Sequence, residues 1–142
     1  MLDGPNLNML GIREPEIYGS ATYEEKCEML NEAADERGIA LCCRQSNHEG
    51  ELIDIIQDAM YSYDGIVINP GAYTHYSYAI CDALRTAERV PAIEVHISDI
   101  HSREEFRRVS VTAPVCIGQI SGHGFRGYIE GIDALLERIG AV

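Results

Sequence analysis

Asn6, Asn8, Arg13 and Tyr18 stand between Gly4-Pro5 and Gly19, in a stretch with almost no helical or strand rhythm. A loop of this length exceeds a minimal connection, and long polar loops at strand ends commonly act as lids. A guanidinium near a phenol favours the phenolate, a base strong enough to take a proton from a carbon acid. Tyr18 can equally serve as an amphipathic anchor that packs the loop down, and the loop residues alone leave both roles open.

Glu94, His96 and Ser98 alternate along an extended segment, so they point to one face while Ile93, Val95 and Ile97 point to the other. A carboxylate two positions from a His can orient the ring and fix its tautomer, in a structural or a functional role. His75 and Asp82 are seven residues apart; on one helix they share a side but lie about 10 Å apart along the axis. Asp82 is then either a solvated or capping acid, or it serves a pocket built with a neighbouring subunit. Arg103 and Arg107 stand at i and i+4 beside Glu104 and Glu105. They suit a solvated face, or a site that binds a carboxylate and favours the ionised form of a nearby acid.

Other chemistries lack their parts. There is no phosphate-binding G-x-x-x-x-G-K-[ST], no G-x-G-x-x-G after a strand and no G-x-S-x-G nucleophile elbow. His48, His75, His96, His101 and His123 are scattered without a metal-binding spacing, so no metal is expected. Cys27, Cys42, Cys43, Cys81 and Cys116 are odd in number and lack C-x-x-C spacing; they are expected to be small buried hydrophobes in a reducing compartment. A net charge of -12 repels nucleic acid and anionic membrane surfaces alike, though a few Arg side chains can still build a local anion pocket. No apolar run approaches the roughly 20 residues of a membrane span, and no secretory signal pattern opens the chain, so a cytoplasmic protein is expected.

The elements that position these groups alternate in type. Thr22-Tyr23-Glu24-Glu25 is a capping box, followed by Cys27, Leu30, Ala33 and Ala34 at helical spacing up to Gly38. The apolar run Ile39 to Cys43 is expected as a strand covered on both faces. Ser46-Asn47-His48-Glu49 opens a second helix that ends near Gly65; Ile66 to Asn69 is a buried strand, Tyr73 to Glu88 a third helix and Ala92 to Ile97 another strand. Ser102-Arg103-Glu104-Glu105 predicts a short capped helix, Val115 to Ile120 a last strand and Tyr128 to Ile139 a last helix. This alternation implies one α/β domain over residues 1–142 with a parallel sheet between helices, and ligands then sit beyond the carboxyl ends of the strands. Those ends are polar here: Pro-Gly-Ala-Tyr-Thr-His75, His96-Ile97-Ser98-Asp99 and Ser121-Gly122-His123-Gly124.

Taken together, GPNLNMLGIREPEIYG, INPGAYTHYSYAICDA and IEVHISDIHSREEFR resemble, in order and spacing, the three motif regions of type II 3-dehydroquinate dehydratase. The resemblance implies a flavodoxin-like three-layer sandwich and the reversible anti elimination of water from 3-dehydroquinate, through an enolate, to 3-dehydroshikimate. It implies no metal, Schiff base or redox cofactor, and a place in aromatic biosynthesis or in quinate catabolism. Carried onto this chain, it makes Tyr18 the base, Arg13 the transition-state partner and Asn6 the holder of the water on the enolate oxygen. His96 becomes the proton donor to the departing hydroxyl, oriented by Glu94, and Arg103 the residue that eases loss of the Tyr18 proton. Asn69, His75, Ile97, Ser98 and Arg107 match substrate contacts, and Asp82 matches an acid that reaches the site of an adjacent subunit in a dodecamer of four trimers. Family chains carry several apolar residues before the G-P-N turn, whereas Met1-Leu2-Asp3 precede Gly4 here. The resemblance therefore implies a first strand that is absent or a stub, and a native chain that begins further upstream; Asp3 also stands where Asn is common.

Overall fold

The computed structural model describes residues 1–141, which form five parallel strands and five α-helices. The strands are β1 (Leu2–Asp3), β2 (Arg44–Gln45), β3 (Ile66–Asn69), β4 (Ala92–His96) and β5 (Gln119–Ser121), in the spatial order β2-β1-β3-β4-β5. The helices are α1 (Pro15–Tyr18), α2 (Tyr23–Glu36), α3 (Glu49–Ser62), α4 (Tyr78–Thr86) and α5 (Arg126–Ile139). This is the α/β flavodoxin-like order, in which the direction of winding reverses between β1 and β3 and leaves a crevice at their carboxyl ends.

Strand alternation builds the two cores. Leu2, Ile66, Ile68 and Ala92 pack with Leu52, Ile56 and Ala59 of α3 and Ile80, Ala83 and Leu84 of α4. Val67, Ile93, Val95 and Ile97 turn the other way, onto Leu30 of α2 and Tyr128, Ile132, Leu135 and Leu136 of α5. Every residue of β3 and β4 is buried, which is why both read as near-continuous apolar runs. Helix α5 lies close on the sheet because Gly131 has no side chain; a Cβ there would stand 3.2–3.3 Å from Val95, Ile93 and Val67.

Several elements differ from the sequence expectation, each for a local reason. The run Ile39–Cys43 carries no strand pairing and is half-buried or exposed; pairing begins at Arg44, where Leu2 comes alongside. The first strand is the expected stub, two residues paired with β2 on one side and β3 on the other. The helix read from Tyr73 to Glu88 is broken into a 3₁₀ turn, Gly71–His75, and α4, because Ser77 caps α4 by accepting from Ile80 N at 3.0 Å. The Ser102 capping box does not form: Asp99 captures the turn by accepting from His101 N, and Ile100–Ser102 and Glu105–Arg108 are 3₁₀ turns. The last strand starts at Gln119, since Pro114 lacks an N–H and favours the 3₁₀ turn Ala113–Val115. Ser46 accepts from His48 N, so α3 begins after His48, and α5 begins two residues before Tyr128. The Thr22 capping box forms as read, with Glu25 N to Thr22 Oγ1 at 3.1 Å and Thr22 N to Glu25 Oε2 at 2.7 Å. Cys81 is buried, but the other four cysteines are only half-buried.

Where β1 ends, Gly4 N donates to Asn69 O at 2.7 Å and the turn presses against the end of β3. A Cβ on Gly4 would fall 2.4 Å from the Pro70 carbonyl oxygen, a contact that only backbone movement can relieve. Gly4→Ala is therefore expected to lower the unfolding free energy by about 1–3 kcal/mol, the usual scale of overpacking. The urea midpoint measures this; an unchanged midpoint would mean that the turn shifts without cost.

Candidate active site

The crevice at the carboxyl ends of β1, β3 and β4 is a cleft of about 680 Å³, partly open to solvent. Asn6, Arg13, Tyr18, Asn69, His75, His96, Ile97, Ser98, Arg103 and Arg107 all line it, together with Leu7, Leu10 and Ile100, which sequence reasoning had not singled out.

The N-terminal loop reaches the cleft by short ordered turns. Asn6 takes a left-handed conformation, φ 69°, which Asn tolerates better than most residues, and its N–H donates to Asn47 Oδ1 at 3.0 Å. Leu7 and Leu10 sink into the core beside α5 and tie the 3₁₀ turn Leu7–Met9 to the sheet. Pro15, with φ preset for helix, then opens the single turn α1, and Tyr18 ends it. Arg103 Nη1 donates to Tyr18 Oη at 2.5 Å, and the guanidiniums of Arg103 and Arg13 stand 5.5 and 5.6 Å from the Tyr18 ring centre. Phenol and guanidinium come from segments 85 residues apart in the sequence.

Beneath the cleft, Glu94 is sealed from solvent and fully hydrogen-bonded. Its Oε1 accepts from Thr74 Oγ1 at 2.8 Å, Ser110 Oγ at 2.9 Å and Gln119 Nε2 at 2.9 Å, and its Oε2 accepts from Thr112 Oγ1 at 2.5 Å. His96 Nε2 lies 2.6 Å from Oε1. Burial alone would raise the Glu94 carboxyl, but hydrogen bonds from His96, Thr112 and Gln119 outweigh it and bring it from 4.5 to about 2. An ionised carboxylate only accepts, so His96 Nε2 carries a hydrogen and Nδ1 is the ring nitrogen left for the cleft. The Thr74, Ser110, Thr112 and Gln119 cradle was not recognised from sequence, although Ser110 and Thr112 alternate in V-S-V-T-A-P as side chains on one face do.

His75 sits on the turn before α4, where Nδ1 donates to Val109 O at 2.7 Å. Its basicity is lowered, first by burial and further by nearby His96 and Arg107, so the neutral ring offers Nε2 as an acceptor. Arg107 Nε is anchored by Glu104 Oε2 at 2.8 Å. Asp82 lies elsewhere: it is exposed on α4, paired with Arg85 at 2.9 Å, and does not line the cleft. Because α4 starts only after its cap Ser77, His75 lies on the preceding 3₁₀ turn and Asp82 on α4, and the reading of both on one helix is corrected.

The family model described as dehydroquinase class II matches residues 1–136. The chain is 58% identical over 135 residues to a 3-dehydroquinate dehydratase of Clostridium acetobutylicum, covering 95% of this chain and 93% of the relative. Among solved structures, the type II dehydroquinase of Butyrivibrio crossotus superposes with a TM-score of 0.93 at 58% identity, covering 94% of this chain and 93% of that one. The type II dehydroquinase of Propionibacterium acnes gives 0.90 at 42% identity, over 98% and 93%.

The cradle makes a pH prediction. The folded Glu94 carboxyl lies below its unfolded value of 4.5, so its stabilising contribution is present above that pH and is lost as the pH falls towards 2. Thr112→Val, which removes one donor, is expected to shift the acid-unfolding midpoint to higher pH, followed by circular dichroism. A midpoint that stays in place would separate Thr112 from the ionisation of Glu94.

Proposed function

Because the chain belongs to the class II dehydroquinase family, we propose a division of labour among its cleft residues in the family reaction. The protein is a hydro-lyase, a 3-dehydroquinate dehydratase. The carrying observation is that the Tyr18 phenol, accepting from Arg103, shares one cleft with His96, whose far nitrogen is tied to a buried carboxylate.

Tyr18, as phenolate, removes the proton from the carbon beside the substrate ketone, and Arg103 holds the oxygen charge with a charge-assisted hydrogen bond. Negative charge then moves to the ketone oxygen as the enolate forms. Asn6 holds a water on that oxygen, and Arg13, beside the Tyr18 ring, adds positive charge as the transition state develops. In the second step His96 Nδ1 gives its proton to the departing hydroxyl, and the enolate collapses with loss of water. Glu94, fixed by its cradle, keeps the ring oriented and stabilises the imidazolium form. Arg107, the Ile97-Ser98 segment, His75 and Asn69 hold the carboxylate and ring hydroxyls. Arg13, Arg103 and Arg107 give an acidic protein a cationic cleft, which suits a carboxylate substrate.

The reading extends to a single catalytic domain, a cytoplasmic place, and a dodecamer of four trimers. Support for assembly lies around the cleft: Tyr76, Tyr78, Phe106 and Val109 are exposed apolar side chains near His75, and Asp82 shares a face of α4 with Tyr78. Asp82, turned away from its own cleft, then serves the neighbour's. Either aromatic biosynthesis or quinate breakdown uses this reaction.

Tyr18→Phe is expected to lower turnover of 3-dehydroquinate by about 10²- to 10⁴-fold, the range of a lost general base. Ultraviolet absorbance of the conjugated enone measures it, and turnover equal to that of the unchanged protein would remove Tyr18 from the role of base. Light scattering after size-exclusion chromatography should give a mass many times 15.7 kDa. A fully active monomer would contradict the shared role of Asp82.

A further inference from the structure

A second buried polar array, outside the Glu94 cradle, runs from α2 to the cleft. Lys26 Nζ donates to Asp3 Oδ2, Tyr128 Oη donates to Asp3 Oδ1 at 2.9 Å, and Asn69 Nδ2 donates to Tyr128 Oη at 2.8 Å. At the near end Gly71 N donates to Asn69 Oδ1 at 3.1 Å. Lys26, Asp3 and Tyr128 are closed to solvent, and the Lys26 ammonium also lies 4.4 Å from the Tyr128 ring centre and 4.6 Å from that of Tyr23. The pair therefore sits in an aromatic sleeve between α2 and α5.

The direction of every link follows from the charge at its far end. An ammonium only donates and an ionised carboxylate only accepts, so Tyr128 must give its hydroxyl hydrogen to Asp3. Burial, and then the Asp3 charge, hold the Tyr128 phenol well above its ordinary range, so that hydrogen stays in place to be donated. The Tyr128 oxygen is left as an acceptor and calls for the amide nitrogen of Asn69. Gly71 N, a donor, independently calls for the amide oxygen on the other side. An isolated Asn in a cleft can present its amide in either of two orientations; here both neighbours select the same one.

We propose that Tyr128, held by the Asp3 and Lys26 pair, is a positioning residue that fixes the Asn69 amide in a single donor and acceptor arrangement for the substrate. The proposal rests on the reading of the cleft as the 3-dehydroquinate site. It assigns the interior Lys26 a task that core packing alone would not require, since an apolar side chain of similar size fills such a space without the cost of burying a charge.

A double-mutant cycle of Tyr128→Phe and Asn69→Ala, assayed with 3-dehydroquinate, tests it. Tyr128→Phe is expected to raise KM about tenfold with kcat within about twofold, the scale of one misdirected hydrogen bond. In the Asn69→Ala background the same substitution is expected to leave KM unchanged. An equal rise in both backgrounds, or none in the first, overturns the proposal. Should Tyr128→Phe fail to fold, hydrogen exchange of the Asn69 side-chain amide in the unsubstituted protein, followed by nuclear magnetic resonance, decides without substrate. One amide hydrogen should exchange at least about tenfold more slowly than the other, as a bonded donor does, and equal rates overturn the proposal. A protein with unequal amide exchange but no turnover of 3-dehydroquinate would keep the orientation and refute the substrate reading instead.

Discussion

A charged carboxylate closed off from water must be surrounded by donors, and that demand at Glu94 organises much of this molecule. Its partners come from four places in the chain: the turn before α4, strand β4 itself, the segment from Ser110 to Thr112, and strand β5. Three of those segments adjoin a wall of the cleft. The turn carries His75, β4 continues into Ile97 and Ser98, and the Ser110 segment follows the 3₁₀ turn that carries Arg107. Satisfying one buried group thus fixes the relative positions of residues distant in sequence.

The cleft also resolves a tension in the charge distribution. A chain of net charge -12 would repel a carboxylate on average, yet three of its eleven Lys and Arg side chains converge on one crevice. Neighbouring acids that do not line the cleft hold two of them, Arg13 by Glu14 at 3.1 Å and Arg107 by Glu104 at 2.8 Å, so the cleft lining keeps the positive charge without its counter-charge. Local placement outweighs the average field at these distances because the cleft is partly shielded from solvent.

Much of this was legible in the sequence, and the limits are physical. Alternation placed Glu94 and His96 on one face of β4 because period two is a property of any extended chain, and the polar strand ends located the cleft because parallel sheets bind there. Boundaries set by competing hydrogen bonds were not legible. Ser102 and Asp99 both bid for the same turn, and which side chain captures it depends on the approach of β5, where Ser121 Oγ accepts from Ile100 N. Ser77 likewise interrupts a helical pattern because Glu49 of α3 accepts from its hydroxyl at 2.7 Å, a contact across 28 residues. The Thr74, Ser110, Thr112 and Gln119 cradle escaped notice for a related reason: hydroxyl side chains are common in loops, and only a tertiary partner distinguishes these.

The two-residue strand β1 has a consequence for how the molecule is made. Leu2 and Asp3 pair with Arg44 and Gln45 on one side and with Ile68 and Asn69 on the other. During synthesis this segment leaves the ribosome ahead of both neighbours: its partner β2 lies 42 residues further along the chain, and its partner β3 lies 66 residues further along. The loop bearing Arg13 and Tyr18 therefore waits as well, since Gly4 gains its anchor only from Asn69 and Tyr18 its partner only from Arg103. A segment translated ahead of its partners is thus anchored only after they have followed.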